Sequence, residues 1–194
     1  PAEASQINVT SYAELKTAVE NAPACGEERV QITIAADAIT MMTNESAITI
    51  PVSSCVGIFG GAAFSEIIGN GHDRLFFGEE FVRGFELSGL LLANGFAADG
   101  SGGAVSFADG CGDLLVVDTL FVDNGALDNG GALLVQGGGT SSSSVRIERT
   151  RFDSNDCGAN GGAVAASDGV ALSMSNVTFA NNTAVASGGG LAVA

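Results

Sequence analysis

Two hydrophobic periods divide the chain. Between Thr10 and Ala22, Leu15, Ala18 and Val19 recur at helical spacing, Ser11 stands where a helix is capped, and Glu14 follows three residues on as in a capping box. The pattern predicts a helix here, ended by the stretch from Asn21 to Gly26 with its Pro23. Beyond it the pattern shortens to β-rich runs, Val30 to Ile34, Ile48 to Val52, Val56 to Phe59 and Phe81 to Leu92, broken by Gly, Asn, Asp and Ser. One amphipathic helix followed by many short strands is the predicted order.

The strands belong to an internal repeat. With Leu92, Phe121, Phe152 and Phe179 as anchors, spaced 29, 31 and 27 residues apart, apolar residues recur in one phase upstream of each. Those seven and five residues before the anchor are Phe85 and Leu87, Leu114 and Val116, Val145 and Ile147, and Leu172 and Met174. Asn124, Asn155 and Asn182 lie three residues after their anchors. A glycine pair with small or aliphatic followers comes next: Gly102-Gly103-Ala104-Val105, Gly130-Gly131-Ala132-Leu133, Gly161-Gly162-Ala163-Val164 and Gly188-Gly189-Gly190-Leu191. A strand-rich unit of this length buries its apolar face only by stacking on its copies. The expected fold is therefore all-β, a right-handed parallel β-helix of about six coils and roughly 30 Å of stack at ordinary strand spacing.

In that fold Phe121, Phe152 and Phe179 form an interior column with Leu92 above it. The Asn residues suit corners with left-handed backbone, their amides bonding to their copies, and the glycines serve a corner where a side chain would clash or φ is positive. Ile32 with Ile34, and Val56 with Ile58, extend the inward pairs backward at spacings of 24 and 29 to Phe85. The whole of 1–194 reads as one domain, with a helical cap at 10–26, degenerate coils at 30–80 and regular repeats at 81–194. The cap covers the apolar end of the first coil and shields an open strand edge. No matching cap follows Leu191, and the stretch opens on Pro1 without a charged apolar leader. Both features suggest a processed segment of a longer polypeptide, or an end that another chain covers.

The motifs Phe121-Val-Asp-Asn124, Phe152-Asp-Ser-Asn155 and Phe179-Ala-Asn-Asn182, each with its glycine pair, resemble the FxxN and GGA(I/L/V) repeats of the polymorphic outer-membrane protein family, within the pectin-lyase-like superfamily. The resemblance covers Phe85 to Ala194 well and the earlier stretch more loosely, with Leu92 for Phe and Gly95 for Asn in the first copy and Gly190 for Ala in the last. It implies a surface-exposed β-helical passenger with an adhesive role. The expectation is a non-catalytic extracellular or cell-surface module, structural or adhesive. The alternatives on the same scaffold are a polysaccharide lyase or epimerase and a carbohydrate-binding module.

Charge narrows the partners. A net charge of −15 argues against nucleic acid, and no apolar run is long enough to span a membrane. The expected partners are proteins or further copies at the C-terminal end and side faces, with carbohydrate as a further class. No cofactor is expected, although so acidic a rod concentrates cations and takes up adventitious Ca²⁺.

Candidate chemistry is sparse. Three of the seven cationic side chains, Arg146, Arg149 and Arg151, fall within six residues. They read as an exposed strand paired with carboxylates, as an anion or partner contact, or as a lyase base, for which His72 is a further candidate, with Asp118, Asp123 and Asp153 as metal ligands. No catalytic or metal residue is assigned. Leu115, Val117 and Leu120 make an apolar outward stripe, covered by a loop of this chain or by a partner. Cys25 and Cys55 lie about one coil apart and suit a disulfide that staples the cap to the stack, whereas Cys111 and Cys157 fall at different corners. Asn8, Asn44, Asn176 and Asn181 open Asn-x-Ser/Thr sequons, candidate glycosylation sites in a eukaryotic secretory pathway.

Overall fold

Alternating apolar and polar positions give each strand one face to bury, and each coil closes on itself to bury it. The computed structural model describes residues 5–26, 29–61, 64–78, 81–108, 110–137 and 143–194, and shows a parallel β-helix of about six coils with one short helix near the N-terminus. The coil starting at Cys111 illustrates the path. Cys111–Val117 lies in a first sheet, Leu120–Val122 in a second, Gly125–Ala126 in a short third and Leu133–Gln136 in a fourth. The chain then re-enters the first sheet at Ser144–Glu148. The four sheets hold seven, six, four and six strands. The third begins only at Phe96–Ala97, so the two earlier full coils pass from second sheet to fourth without it.

Vertical registration is the main source of order in the interior. Phe121 stacks on Phe152 with ring centroids 4.7 Å apart and planes 11° from parallel, and Phe152 on Phe179 at 5.2 Å and 12°. Leu92 sits in register with Phe121, and the same column continues down through Ile67 to Ile39. Stacked aromatic pairs of this kind add about 0.5–1.5 kcal/mol each beyond the area they bury. In the first sheet the expected pairing of Ile32 with Val56 is corrected: Val30 lies beside Val56 and Ile32 beside Ile58. The error is two residues. A slip of two leaves every side chain on its own face, so alternation alone does not detect it. The run from Phe81 to Leu92, expected as one strand, is two, Val82–Ser88 and Leu90–Ala93, hinged at Gly89 with φ of 67°.

The corners correct a second expectation. The left-handed residues are not Asn124, Asn155 and Asn182 but those just before them, Asp123, Ser154 and Asn181, with φ of 52°, 55° and 55°. Asn94 at 56° holds that place one coil earlier. The three Asn side chains instead project into the stack, where unpaired amides would be costly, and they form a ladder. Asn124 Nδ2 donates to Asn155 Oδ1 at 3.0 Å, and Asn155 Nδ2 to Asn182 Oδ1 at 2.9 Å. The same amides also donate to the carbonyls of Leu92 and Phe121. The glycine pair meets both of its anticipated needs, one residue each: Gly130 has φ of 64°, and a Cβ on Gly131 would lie 2.2 Å from the Gly162 carbonyl oxygen.

At the N-terminus the helix is Tyr12–Glu20, capped by Ser11, whose hydroxyl accepts the Glu14 N–H at 3.3 Å. The Glu14 carboxylate reaches back to the N–H of Thr10 at 2.7 Å, one residue beyond the cap. A strand the sequence pattern does not predict, Ser5–Val9, precedes the helix and pairs in parallel with Val30–Ile34. The helix thus follows the first strand of the stack and lies against the fourth-sheet edge strand Ile48–Thr49. Tyr12, Leu15 and Val19 are buried against the interior.

Candidate functional site

The arginine group sits where the first sheet turns into the second. Arg149 occupies the corner itself with φ of 46°, directly in line with Asp118, also at 46°, in the preceding coil. The next residue helps close each corner: Thr119 Oγ1 donates to the Val117 carbonyl and Thr150 Oγ1 to the Glu148 carbonyl, both at 2.8 Å. Stacked corners bring the two charged side chains together. Arg149 Nε and Nη2 donate to the two oxygens of Asp118 at 2.7 and 2.9 Å, and Nη1 reaches Glu148 at 3.3 Å. Arg146 pairs with Glu148, and Arg151 Nη2 with Asp153 at 2.5 Å.

Of the three arginines, only Arg149 pairs across coils; the others bond carboxylates two residues along their own strands. The Arg149 guanidinium holds the Asp118 carboxyl below its ordinary range, and Asp118 in turn raises the pKa of Arg149. Arg151, with help from the Asn181 amide, lowers that of Asp153. A guanidinium that holds its proton more tightly than usual is a poor base and a good fixed charge.

The other candidates are dispersed. His72 lies in an exposed turn, its backbone N–H donating to Asn70 Oδ1 at 2.9 Å. Asp118 and Asp123 stand at different corners and Asp153 on a second-sheet strand. Among the described residues, no group of three or more His, Cys, Asp or Glu is arranged to hold a metal ion. Leu115 and Val117 lie on the first sheet and Leu120 on the second, with the Asp118 corner between them, and all three are half-buried. Leu120 has an apolar neighbour in register, Leu91.

Cys25 and Cys55 are bonded, their Cα atoms 5.0 Å apart, tying the segment after the helix to the strand Cys55–Phe59. Cys111 and Cys157 are free and buried, and burial pushes the Cys111 thiol up to about 12. The four sequon asparagines are all exposed: Asn8 on the first strand, Asn44 in a turn, Asn176 and Asn181 at successive corners of the last coil. No helix among the described residues is long and apolar enough to cross a membrane.

The two ends of the stack differ. On the helix side, Lys16 Nζ donates to the Ala47 and Ser46 carbonyls at 2.8 and 3.0 Å, and Glu20 accepts the Thr49 N–H at 3.1 Å, so the helix bonds to the edge strand Ile48–Thr49 of the fourth sheet and to the residues that lead into it. At the other end Leu172, Met174, Val177, Phe179 and Leu191 are only partly buried, and no charged side chain occurs from Gly169 to Ala194.

Two features escaped the sequence pattern. One is a second amide contact, Asn160 Nδ2 to Asn129 Oδ1 at 3.1 Å. The other is a buried arginine, Arg74, paired with Asp99. The recurrence of Asn-Gly at 129 and 160, one coil apart, was the available signal for the first; none marked the second. Comparison with known proteins finds no matching family model, no matching curated protein and no matching solved structure.

Proposed function

We propose that this chain is a non-catalytic β-helical module of a surface or extracellular assembly, of the kind found in polymorphic outer-membrane protein repeats, which acts as a rigid spacer and whose coil 169–194 packs against further coils, of the same polypeptide or of another. The observation that carries this reading is the contrast between the ladders and the end they lead to. Phe and Asn columns run unbroken to Phe179 and Asn182, then meet a coil with partly exposed apolar residues, an edge strand in every sheet and no charge. Unguarded edges of this kind are templates for strand pairing, and charges are the usual guard against it. The Cys25–Cys55 disulfide suits an oxidising compartment.

Light scattering tests the reading. The chain is expected to self-associate or to capture further coils of its own repeat, and Met174→Lys with Leu191→Lys at the last coil is expected to abolish this without unfolding the stack. A chain that stays monomeric to high concentration and ignores added coils, or that turns over uronic-acid polymers with Ca²⁺ and loses that activity on replacement of Arg146 or Arg151, would replace it.

A further inference from the structure

A pocket on the outer face of the fourth sheet has the chemistry of an anion site. It is a cavity of about 280 Å³ lined by the polar side chains of Arg74, Asp99, Ser106 and Gln136 and the apolar ones of Phe77 and Leu134. Arg74 arrives there through an ordered turn: Asn70 Oδ1 accepts the N–H groups of His72 and Asp73, and Asp73 Oδ1 accepts that of Arg74. Its guanidinium carbon lies over the Phe77 ring, 4.8 Å from the ring centre.

The ion pair is lopsided. The Arg74 side chain is 9% exposed and that of Asp99 81%. Nη2 donates to Asp99 Oδ1 at 2.8 Å, while the buried Nε has no hydrogen-bond partner among the described residues. The Ser106 residue is 2% exposed. An exposed carboxylate regains water when it swings away, whereas a buried guanidinium without an acceptor is costly. The arginine therefore needs an anion more than Asp99 needs the arginine.

We propose that this pocket binds a carboxylate ligand, which displaces Asp99 and takes Nη2 and Nε of Arg74 as a two-pronged pair, the body of the ligand lying over Phe77 and Leu134 within reach of Ser106 and Gln136. A carboxylate matches the planar fork of a guanidinium. A single negative charge also suits the setting better than a phosphate dianion, because Asp99 remains nearby and the chain carries −15.

The test follows the Arg74 Nε–H signal, one of six arginine signals, by nitrogen-resolved NMR. Acetate is expected to move it saturably, whereas glucose, and sodium chloride at matched ionic strength, are not. Glucuronate against N-acetylalanine then separates a sugar acid from a peptide terminus as the source of the carboxylate. Asp99→Asn removes the internal competitor at an exposed position and is expected to tighten acetate binding by about tenfold, and Arg74→Gln, followed at the Gln136 side-chain amide because the arginine signal is gone, to abolish it. The proposal fails if neither the native chain nor the Asp99→Asn form shows a saturable shift, if chloride reproduces the shift, or if Asp99→Asn weakens it.

Discussion

The helix-covered first coil and the coil 169–194 use the same ladders and are covered differently. A cap must meet two demands together, covering an apolar layer and supplying partners to the polar groups along a strand edge. The helix Tyr12–Glu20 meets both: Leu15 and Val19 cover the interior, while Lys16 and Glu20 satisfy the carbonyls and N–H of the Ala47 to Thr49 edge. In the last coil, Leu172 and Leu191 keep their inward direction but remain partly open. Coil upon coil is thus a generic interaction that any copy of the repeat provides. An end needs a separate device, and here it takes a helix with the chain's only lysine.

Matched truncations break this comparison most directly. Leu15 is fully buried, and Leu15→Ala is expected to cost about 2–5 kcal/mol in urea unfolding. Leu172→Ala is expected to cost less than about 2 kcal/mol, because the space it leaves opens to solvent. Equal costs would mean that the two ends are equally closed. A second break is chemical. The Cys25–Cys55 bond closes a loop with a sequence separation of 30, and Cys25→Ser is expected to remove about 2–4 kcal/mol. A stack held by neighbour contacts loses that stability locally. Hydrogen exchange should therefore accelerate at Val30–Ile34 and stay slow at Val145 and Ile147; uniform acceleration along the stack would show that it unfolds as one unit.

The part of the molecule that was legible beforehand is the part that repeats. Phe121, Phe152 and Phe179 announced a column because one inward place is filled by one residue type at every coil, and the Asn and Gly landmarks confirmed its phase. Where a place is filled by interchangeable residues, the pattern leaves register open: Val30, Ile32 and Ile34 all fit the interior, and only the backbone pairing selects Val30 as the neighbour of Val56. Ser5–Val9 was invisible because Ile7 and Val9 alone do not make a pattern. The Asn corners were legible as composition but lie one residue earlier, whereas the repeat phase itself puts Arg149 at a bend, where it has φ of 46° although no rule of turn chemistry favours an arginine there. It is held there by Asp118, which only stacking brings near. Of the candidate surfaces, the arginine run was visible as a charge cluster. The Arg74 pair was not, since a separation of 25 residues between its members falls short of the regular repeat and carries no signal.

Acidification gives the finest contrast. Glu14 at the cap is held below the usual carboxylate range, chiefly by the Thr10 N–H, while Asp118 and Asp153 on the side faces are held low by Arg149 and Arg151. As pH falls, the unfolded chain protonates these groups first, near 4.3 for Glu and 3.9 for Asp, so their contribution is fully present above that range and fades as pH drops through the lower folded values. Glu14 is exposed and Asp118 and Asp153 are half-buried at the surface, so the effects are small, and they act against a general gain as acid relieves the repulsion of a chain at −15. The difference between native and variant chains isolates them. Glu14→Gln is expected to flatten the acid loss of protection at the amides of Tyr12 to Leu15 while leaving that at Phe152 unchanged. Asp118→Asn is expected to do the reverse, sparing the helix and shifting only the corner at Arg149. If either substitution altered both regions alike, acid would be acting on the stack as a whole, and the cap would not be the separately finished end that its contacts describe.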